Sequence, residues 1–193
     1  MPNYRRYRIP GGTYFFMVNL LERRLDLLAR HIDELREAVR ATKRDRPFHI
    51  DAWVVLPDHM HALWTLPTGD CDYPTRWMLI KAGFSRQLPK CEIRSNSRVA
   101  KGERGIWQRR YWEHLIRDNR DFERHVDYIH YNPFKHGYAQ RVADWPWSSF
   151  HRYVRQGMLS VDWAGQSRMN ENDEHAFGEC NEYLYHDLGR LGR

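Results

Sequence analysis

His59 and His61 flank one apolar residue in the run Pro57-Asp58-His59-Met60-His61-Ala62-Leu63-Trp64. Alternate residues of a strand point to one face, so a strand here projects both imidazoles together and sends Met60 into the opposite layer. Two imidazoles form a borderline-soft pair that suits several divalent ions but needs a third ligand from elsewhere. The segment His125-Val126-Asp127-Tyr128-Ile129-His130-Tyr131-Asn132 offers one. Tyr128 and Asn132 are four residues apart and share a helix face, while Val126 and Ile129 point elsewhere and can anchor the helix. The Asn132 carbonyl oxygen can bind a hard cation, and the Tyr128 phenol lies one turn away. A cation on His59, His61 and Asn132 would keep open positions for a phosphate oxygen and act as a Lewis acid on a phosphodiester. Tyr128 would then attack phosphorus and become a covalent phosphotyrosine. A free tyrosine titrates near about pH 10, so a neighbouring cation helps generate the phenolate.

Other residues compete for these roles. Tyr131 is the alternative nucleophile, but it is adjacent to Asn132 in sequence and so about 100° away around a helix; packing or stacking on bases suits it better. His114, on a short strand, is a candidate near-site residue. His125 and His130 fall on other helix faces and read as surface or packing groups. His136, beyond Pro133, reads as a turn residue facing DNA or solvent.

The elements that must position these residues follow from periodicity and punctuation. Gly11-Gly12 is a turn, and Thr13–Leu20 reads as a strand rich in aromatic and β-branched residues. Leu27, Leu28, Ile32, Leu35 and Val39 recur at helical spacing over about 25–42. Phe48, Ile50, Ala52, Val54 and Leu56 alternate along a second strand. Pro57-Asp58 joins it tightly to a third, His59–Leu66, as a hairpin. Thr75 to Leu88 suits a helix. Lys90–Gly105 is loop-like and basic. Ile106–Gln108 and Tyr111–Arg117 look like short strands. Asp118-Asn119 signals a helix N-cap, and a helix over 121–131 is expected to end at Asn132, because a residue before proline avoids the α region. The order β-α-β-β-α-β(β)-α predicts an α+β fold: a ferredoxin-like antiparallel sheet of four or five strands with helices packed on it.

The chain has 193 residues, enough for one substantial core. Eight Trp, eleven Tyr and eight Phe read mostly as core, with a few free to stack on unpaired bases. The net charge is +6, yet residues 165–193 hold six acids against three arginines. A basic body with an acidic tail suits a polyanionic partner, most simply nucleic acid. Arg5, Arg6, Arg8, Arg44, Arg46, Lys81, Arg86, Arg109, Arg110 and Arg117 are the cations available to a DNA backbone, and as a set they predict salt-dependent binding. No stretch approaches the roughly 20 apolar residues of a membrane span. No signal peptide is visible, and Cys71, Cys91 and Cys180 form no CxxC pair. A cytoplasmic protein is expected.

With these segments in hand, the chain resembles the REP-associated tyrosine transposases of the single-tyrosine HUH superfamily. Tyr4-Arg5-Arg6-Tyr7, Gly11-Gly12-Thr13, Lys43–Phe48 and Ala52–His61 carry the resemblance. Ile106-Trp107-Gln108, Trp112-Glu113-His114, His125–Ile129, Asn132–Gly137, Asp144–Phe150 and Asp162–Gly165 extend it, in order, over nearly all of 1–165. The resemblance implies cleavage and rejoining of single-stranded DNA at extragenic palindromes that fold into hairpins. It implies Mg²⁺ or Mn²⁺, a 5′-phosphotyrosine intermediate and a released 3′-OH. Tyr128 falls on the family's nucleophile position and Asn132 on its third-ligand position. This branch is expected to act as a monomer, with 1–165 as the transposase domain and 166–193 as a flexible acidic tail. Two other classes compete: a domesticated palindrome-binding protein that cuts nothing, and a metal-dependent hydrolase of small substrates.

Overall fold

The computed structural model describes residues 7–163; the expectations for Arg5, Arg6 and the tail 166–193 lie outside them. In chain order the elements are β1 (Thr13–Asn19), α1 (Leu27–Arg30), α2 (Ile32–Asp45), β2 (His49–Val55) and β3 (His59–Thr65). They continue with α3 (Tyr73–Gln87), α4 (Asn96–Ala100), β4 (Trp112–Leu115), α5 (Asn119–Lys135), a 3₁₀ turn (Val142–Asp144) and α6 (Phe150–Arg155). The strands form one antiparallel sheet in the order β2-β3-β1-β4. The expected α+β, ferredoxin-like sheet is therefore present, with four strands.

Strand alternation divides the core into two layers. Tyr14, Phe16 and Val18 of β1 and Met60, Ala62 and Trp64 of β3 pack against Leu35 of α2 and Trp77, Ile80 and Phe84 of α3. Trp64 and Trp77 stack at 4.2 Å, so most of the aromatic content is core. Phe15 of β1 and Leu63 of β3 face the other way and meet Val126, Tyr128 and Ile129 of α5. Each such buried side chain contributes about 1.5–3 kcal/mol, and this second layer is what holds α5 to the sheet.

Several elements depart from the sequence reading. The alternation over Phe48–Leu56 is not continuous. A bulge between Ile50 and Ala52 inserts Asp51, which switches the strand's faces. Phe48 and Ile50 then join Trp53 and Val55 on the α2–α3 side, while Ala52, Val54 and Leu56 face α5. The first helical stretch splits at His31 into α1 and α2. Ile106–Gln108 is no strand; Trp107 makes a single bridge to Leu20. The basic run Lys90–Gly105 contains α4 and turns two arginines inward. Arg98 donates to the carbonyls of Arg104 and Trp107, and Arg104 binds Glu92 and the carbonyls of Ser85, Leu88 and Pro89.

Helix α5 runs through Asn132-Pro133 to Lys135 instead of ending at Asn132. Proline gives up one helical hydrogen bond, but the apolar face of α5 holds the turn in place. The helix stops one turn later, where Gly137 takes φ 70°. There the Tyr138 amide donates to Pro133 O and the Gly137 amide to Phe134 O, the paired bonds of a glycine C-terminal cap. At the other end the Asp118 carboxylate accepts from the Asp121 amide at 2.8 Å. Residues 147–149 cover the free edge of β2: Val55 N donates to Trp147 O and Ser149 N to Trp53 O.

Candidate active site

His59 and His61 lie side by side on the α5 face of β3, 3 % and 0 % exposed, with ring centroids 5.0 Å apart. Met60 is buried in the opposite layer, as alternation requires. The hairpin turn places Asp58 against its neighbour, and His59 Nδ1 donates to Asp58 Oδ1 at 2.7 Å. On the far side Arg23 Nε donates to Asp58 Oδ2, also at 2.7 Å. Burial pushes the Asp58 carboxyl up, but the bonds and charges of His59 and Arg23 outweigh it and hold the group at about 2. An ionised carboxylate only accepts, so Nδ1 carries the His59 proton and Nε2 keeps a lone pair. Burial also pulls the His59 pKa below its ordinary value, against the opposing pull of Asp58, which favours the neutral ring.

Helix α5 lies along these histidines. The Tyr128 ring meets His61 edge to face at 5.2 Å and Phe15 at 5.9 Å. Two turns later the His136 ring lies 5.4 Å from His59. Asn132 sits one turn from each of them on the same helix face. It is 0 % exposed, and neither its Oδ1 nor its Nδ2 has a hydrogen-bond partner among the described residues. A buried amide left this way costs about 1–3 kcal/mol, which a water or an ion bound beside it would offset. Two adjacent imidazoles, with a buried amide on the helix face whose Tyr128 and His136 touch them, are donor types that suit a divalent cation. Lys135 places its Nζ 5.5 Å from the Tyr128 ring centroid. The Tyr128 ring is fully buried.

The remaining sequence candidates scatter. Tyr131 is half-buried and packs on Phe134 at 5.2 Å rather than on the histidines. His114 is on the same sheet face but two strands from β3; its Nε2 lies 2.8 Å from Asp121 Oδ2 and its ring stacks on His125. Lys81 and Arg86 belong to α3, in the opposite layer. Lys81 donates to Gln108 O and lies over the rings of Trp107 and Tyr111. Arg46 pairs with Asp72 and Arg109 with Glu103, both half-exposed. Arg8, Arg86 and Arg110 are exposed. Arg44, exposed, pairs with Asp45, and Arg117 is exposed beside α5.

Four residues of this constellation were not placed in it by sequence reading. Asp58 and Lys135 had legible signals, adjacency to His59 and a position seven beyond Tyr128. His136 reads from sequence as a turn residue, and only the extra turn of α5 brings it to His59. Arg23 had no signal; the chain leaving β1 carries it there, with the Leu20 amide bonded to Asp58 O. His125 and His130 are buried, so packing is correct and surface is not. Burial, aided by Arg152, pushes His130 down to about 3, and its Nε2 lies 2.9 Å from Ser149 Oγ.

No family model matches the chain. Curated relatives do. A REP-associated tyrosine transposase of Escherichia coli is 52 % identical over 165 residues, covering 86 % of this chain and 92 % of its own length. A Haemophilus influenzae protein named for the same family is 48 % identical over 166 residues, covering 86 % and 94 %. Among solved structures, a REP-associated tyrosine transposase bound to a REP hairpin matches with a TM-score of 0.75 at 50 % identity, over 89 % of this chain and 96 % of that one.

Proposed function

The chain belongs to the REP-associated tyrosine transposases, and from that premise we propose that it binds single-stranded DNA hairpins of extragenic palindromes and cleaves and rejoins them through Tyr128. The observation that carries this reading is the docking of the α5 face that holds Tyr128 and Asn132 on the strand that holds His59 and His61, with Tyr128 against His61 and His136 against His59. That the related solved structure holds a REP hairpin supports the substrate.

In this reading His59, His61 and Asn132 hold Mg²⁺ or Mn²⁺, which when bound polarises the scissile phosphate. Asp58 keeps the His59 lone pair on Nε2, and Arg23 keeps Asp58 ionised. The Tyr128 oxygen attacks phosphorus, giving up its proton. The P–O3′ bond breaks, the DNA 3′ oxygen leaves as a hydroxyl, and the 5′ phosphate stays on the tyrosine as a diester. Attack by a 3′-OH on that phosphotyrosine reverses the chemistry and rejoins the strand. The Lys135 ammonium near the ring stabilises the phenolate, both as it attacks and as it leaves. Arg8, Arg46, Arg109 and Arg110 are assigned to the DNA backbone, and Arg5 and Arg6, outside the described residues, are assigned the same role. Lys81 and Arg86, on the far layer, are assigned to DNA outside the cleavage site. Tyr131 beside Phe134 is assigned to base stacking.

Residues 1–165 form the transposase domain of this proposal, acting as a monomer in the cytoplasm, and 166–193 an acidic tail. No helix among the described residues is long and apolar enough to cross a membrane. The test is incubation with a labelled hairpin oligonucleotide and Mg²⁺ or Mn²⁺. A denaturant-resistant protein–DNA adduct, absent in Tyr128→Phe, is expected. The full burial of Tyr128 favours one second reading, a palindrome-binding protein without cleavage. Tight hairpin binding with no adduct across several of the host's own intergenic palindromes would select it.

A further inference from the structure

A second cluster on the same sheet face is left unused by this chemistry. His114 projects from β4 opposite Phe15 in the register, and Asp121 and His125 come from the first two turns of α5. One ligand atom from each lies within 4.8 Å of the others. His114 Nε2 is 2.8 Å from Asp121 Oδ2, and His125 Nδ1 is 3.1 Å from Asp121 Oδ1. The two imidazoles stack at 4.8 Å. His125 is buried, whereas the His114 and Asp121 side chains are each 20 % exposed, so the cluster is sheltered yet open on one side. The Phe15 ring, 4.7 Å from His125 and 5.6 Å from His61, stands between this cluster and the first histidine pair. One ion therefore cannot serve both.

We propose that His114, Asp121 and His125 form a second divalent-metal site, of transition-metal type and best suited to zinc, which pins the start of α5 to β4. Two imidazoles and one carboxylate, with room for a water on the open side, are the donor number and kind that zinc takes. Binding needs no co-reactant: a coordinating imidazole keeps its proton on the ring nitrogen remote from the ion, Asp121 exchanges the His114 N–H for the ion, and His125 Nδ1 gives up its 2.7 Å bond to the Asp121 backbone carbonyl, which the ion has to outweigh. The Arg117 amide, 3.0 Å from Asp121 Oδ2, continues to orient the carboxylate. Because the ligands come from a strand and a helix, the ion crosslinks them. Tyr128 lies three residues beyond His125, so the same crosslink fixes the height of Tyr128 over the sheet.

The site is independent of whether Tyr128 cleaves DNA, and its test reads metal directly. Full-length protein is stripped with a chelator and titrated with Co²⁺, as a spectroscopic stand-in for zinc, in excess Mg²⁺. One equivalent is expected to give the intense visible bands of low-coordinate Co²⁺. The bands should be lost in His114→Gln and in Asp121→Asn and kept in Asn132→Ala. Zn²⁺ should raise the thermal midpoint of the wild type and leave that of His114→Gln unmoved. His125 is buried, and a variant there risks misfolding, so His114→Gln decides the matter. Bands that persist in His114→Gln and Asp121→Asn, bands that vanish in Asn132→Ala instead, or no bands at all each overturn the proposal; in the last case the cluster is a hydrogen-bonded clamp.

Discussion

His61 and Tyr128 meet edge to face, ring centroids 5.2 Å apart and planes at 78°, across the boundary between β3 and α5. The contact joins a strand alternation to a helical repeat that lies far downstream. It exists because Val126 and Ile129 bury against the same sheet face that carries the histidines. Everything proposed for the site depends on that docking.

Removing the Tyr128 hydroxyl alone should separate chemistry from architecture. Tyr128→Phe keeps the buried ring and its contacts, so stability should change by no more than about 1 kcal/mol. Hairpin affinity in a gel-shift assay should stay within about twofold, while the covalent adduct disappears. Tyr131→Phe should still form the adduct. An adduct that survives in Tyr128→Phe and vanishes in Tyr131→Phe would move the nucleophile.

The Asn132 amide, without a partner among the described residues, should set stability against metal binding. In the absence of divalent metal, Asn132→Leu should leave the protein equally stable or raise its stability by about 1–3 kcal/mol, because a buried amide without partners is removed. Mn²⁺ binding by calorimetry should fall at the same time. Urea unfolding that shows Asn132→Leu strongly destabilised without metal would mean that the amide already has a structural partner.

Asp58→Asn tests the orientation of His59. The asparagine is nearly isosteric but loses the charge that holds the His59 proton on Nδ1. Loss of such an outer partner typically costs 10–100-fold in metal affinity, and that range is expected here for Mn²⁺. Arg23→Met, which removes the outer bond to Asp58, should produce a smaller loss in the same direction. Unchanged Mn²⁺ affinity in Asp58→Asn would remove Asp58 from the site.

Lys135 should matter through its charge. Lys135→Met is expected to slow single-turnover adduct formation by about tenfold, near 1.4 kcal/mol of barrier, with hairpin affinity changed much less. Lys135→Arg should recover most of the rate. A Lys135→Met protein that cleaves at the wild-type rate but binds more weakly would make the residue a backbone contact.

Much of the site was readable before any fold was known, because it rests on short periods. Two residues apart on a strand puts His59 and His61 on one face, and four apart on a helix does the same for Tyr128 and Asn132. Punctuation was less reliable. Pro133 reads as a stop, yet α5 continues to Lys135 and brings His136 to His59, since tertiary packing outweighs one lost helical bond. The alternation over Phe48–Leu56 reads as one face, and the bulge at Asp51 divides it between two. The arginines of 90–105 read as a basic loop, and Arg98 and Arg104 turn inward to satisfy backbone carbonyls.

The amino-acid sequence by itself determined the order of the main strands and helices, the residues that share a face on β3 and on α5, the basic body and the family to which the chain belongs. Those are properties of residue type and local spacing. Only the tertiary structure decided that α5 lies on the histidine face, that Arg23 reaches Asp58, that Lys81 turns to Trp107 and Tyr111, and that His114, Asp121 and His125 converge. The reason is that periodicity says which residues share a face, while burial between segments distant in the chain decides which faces meet.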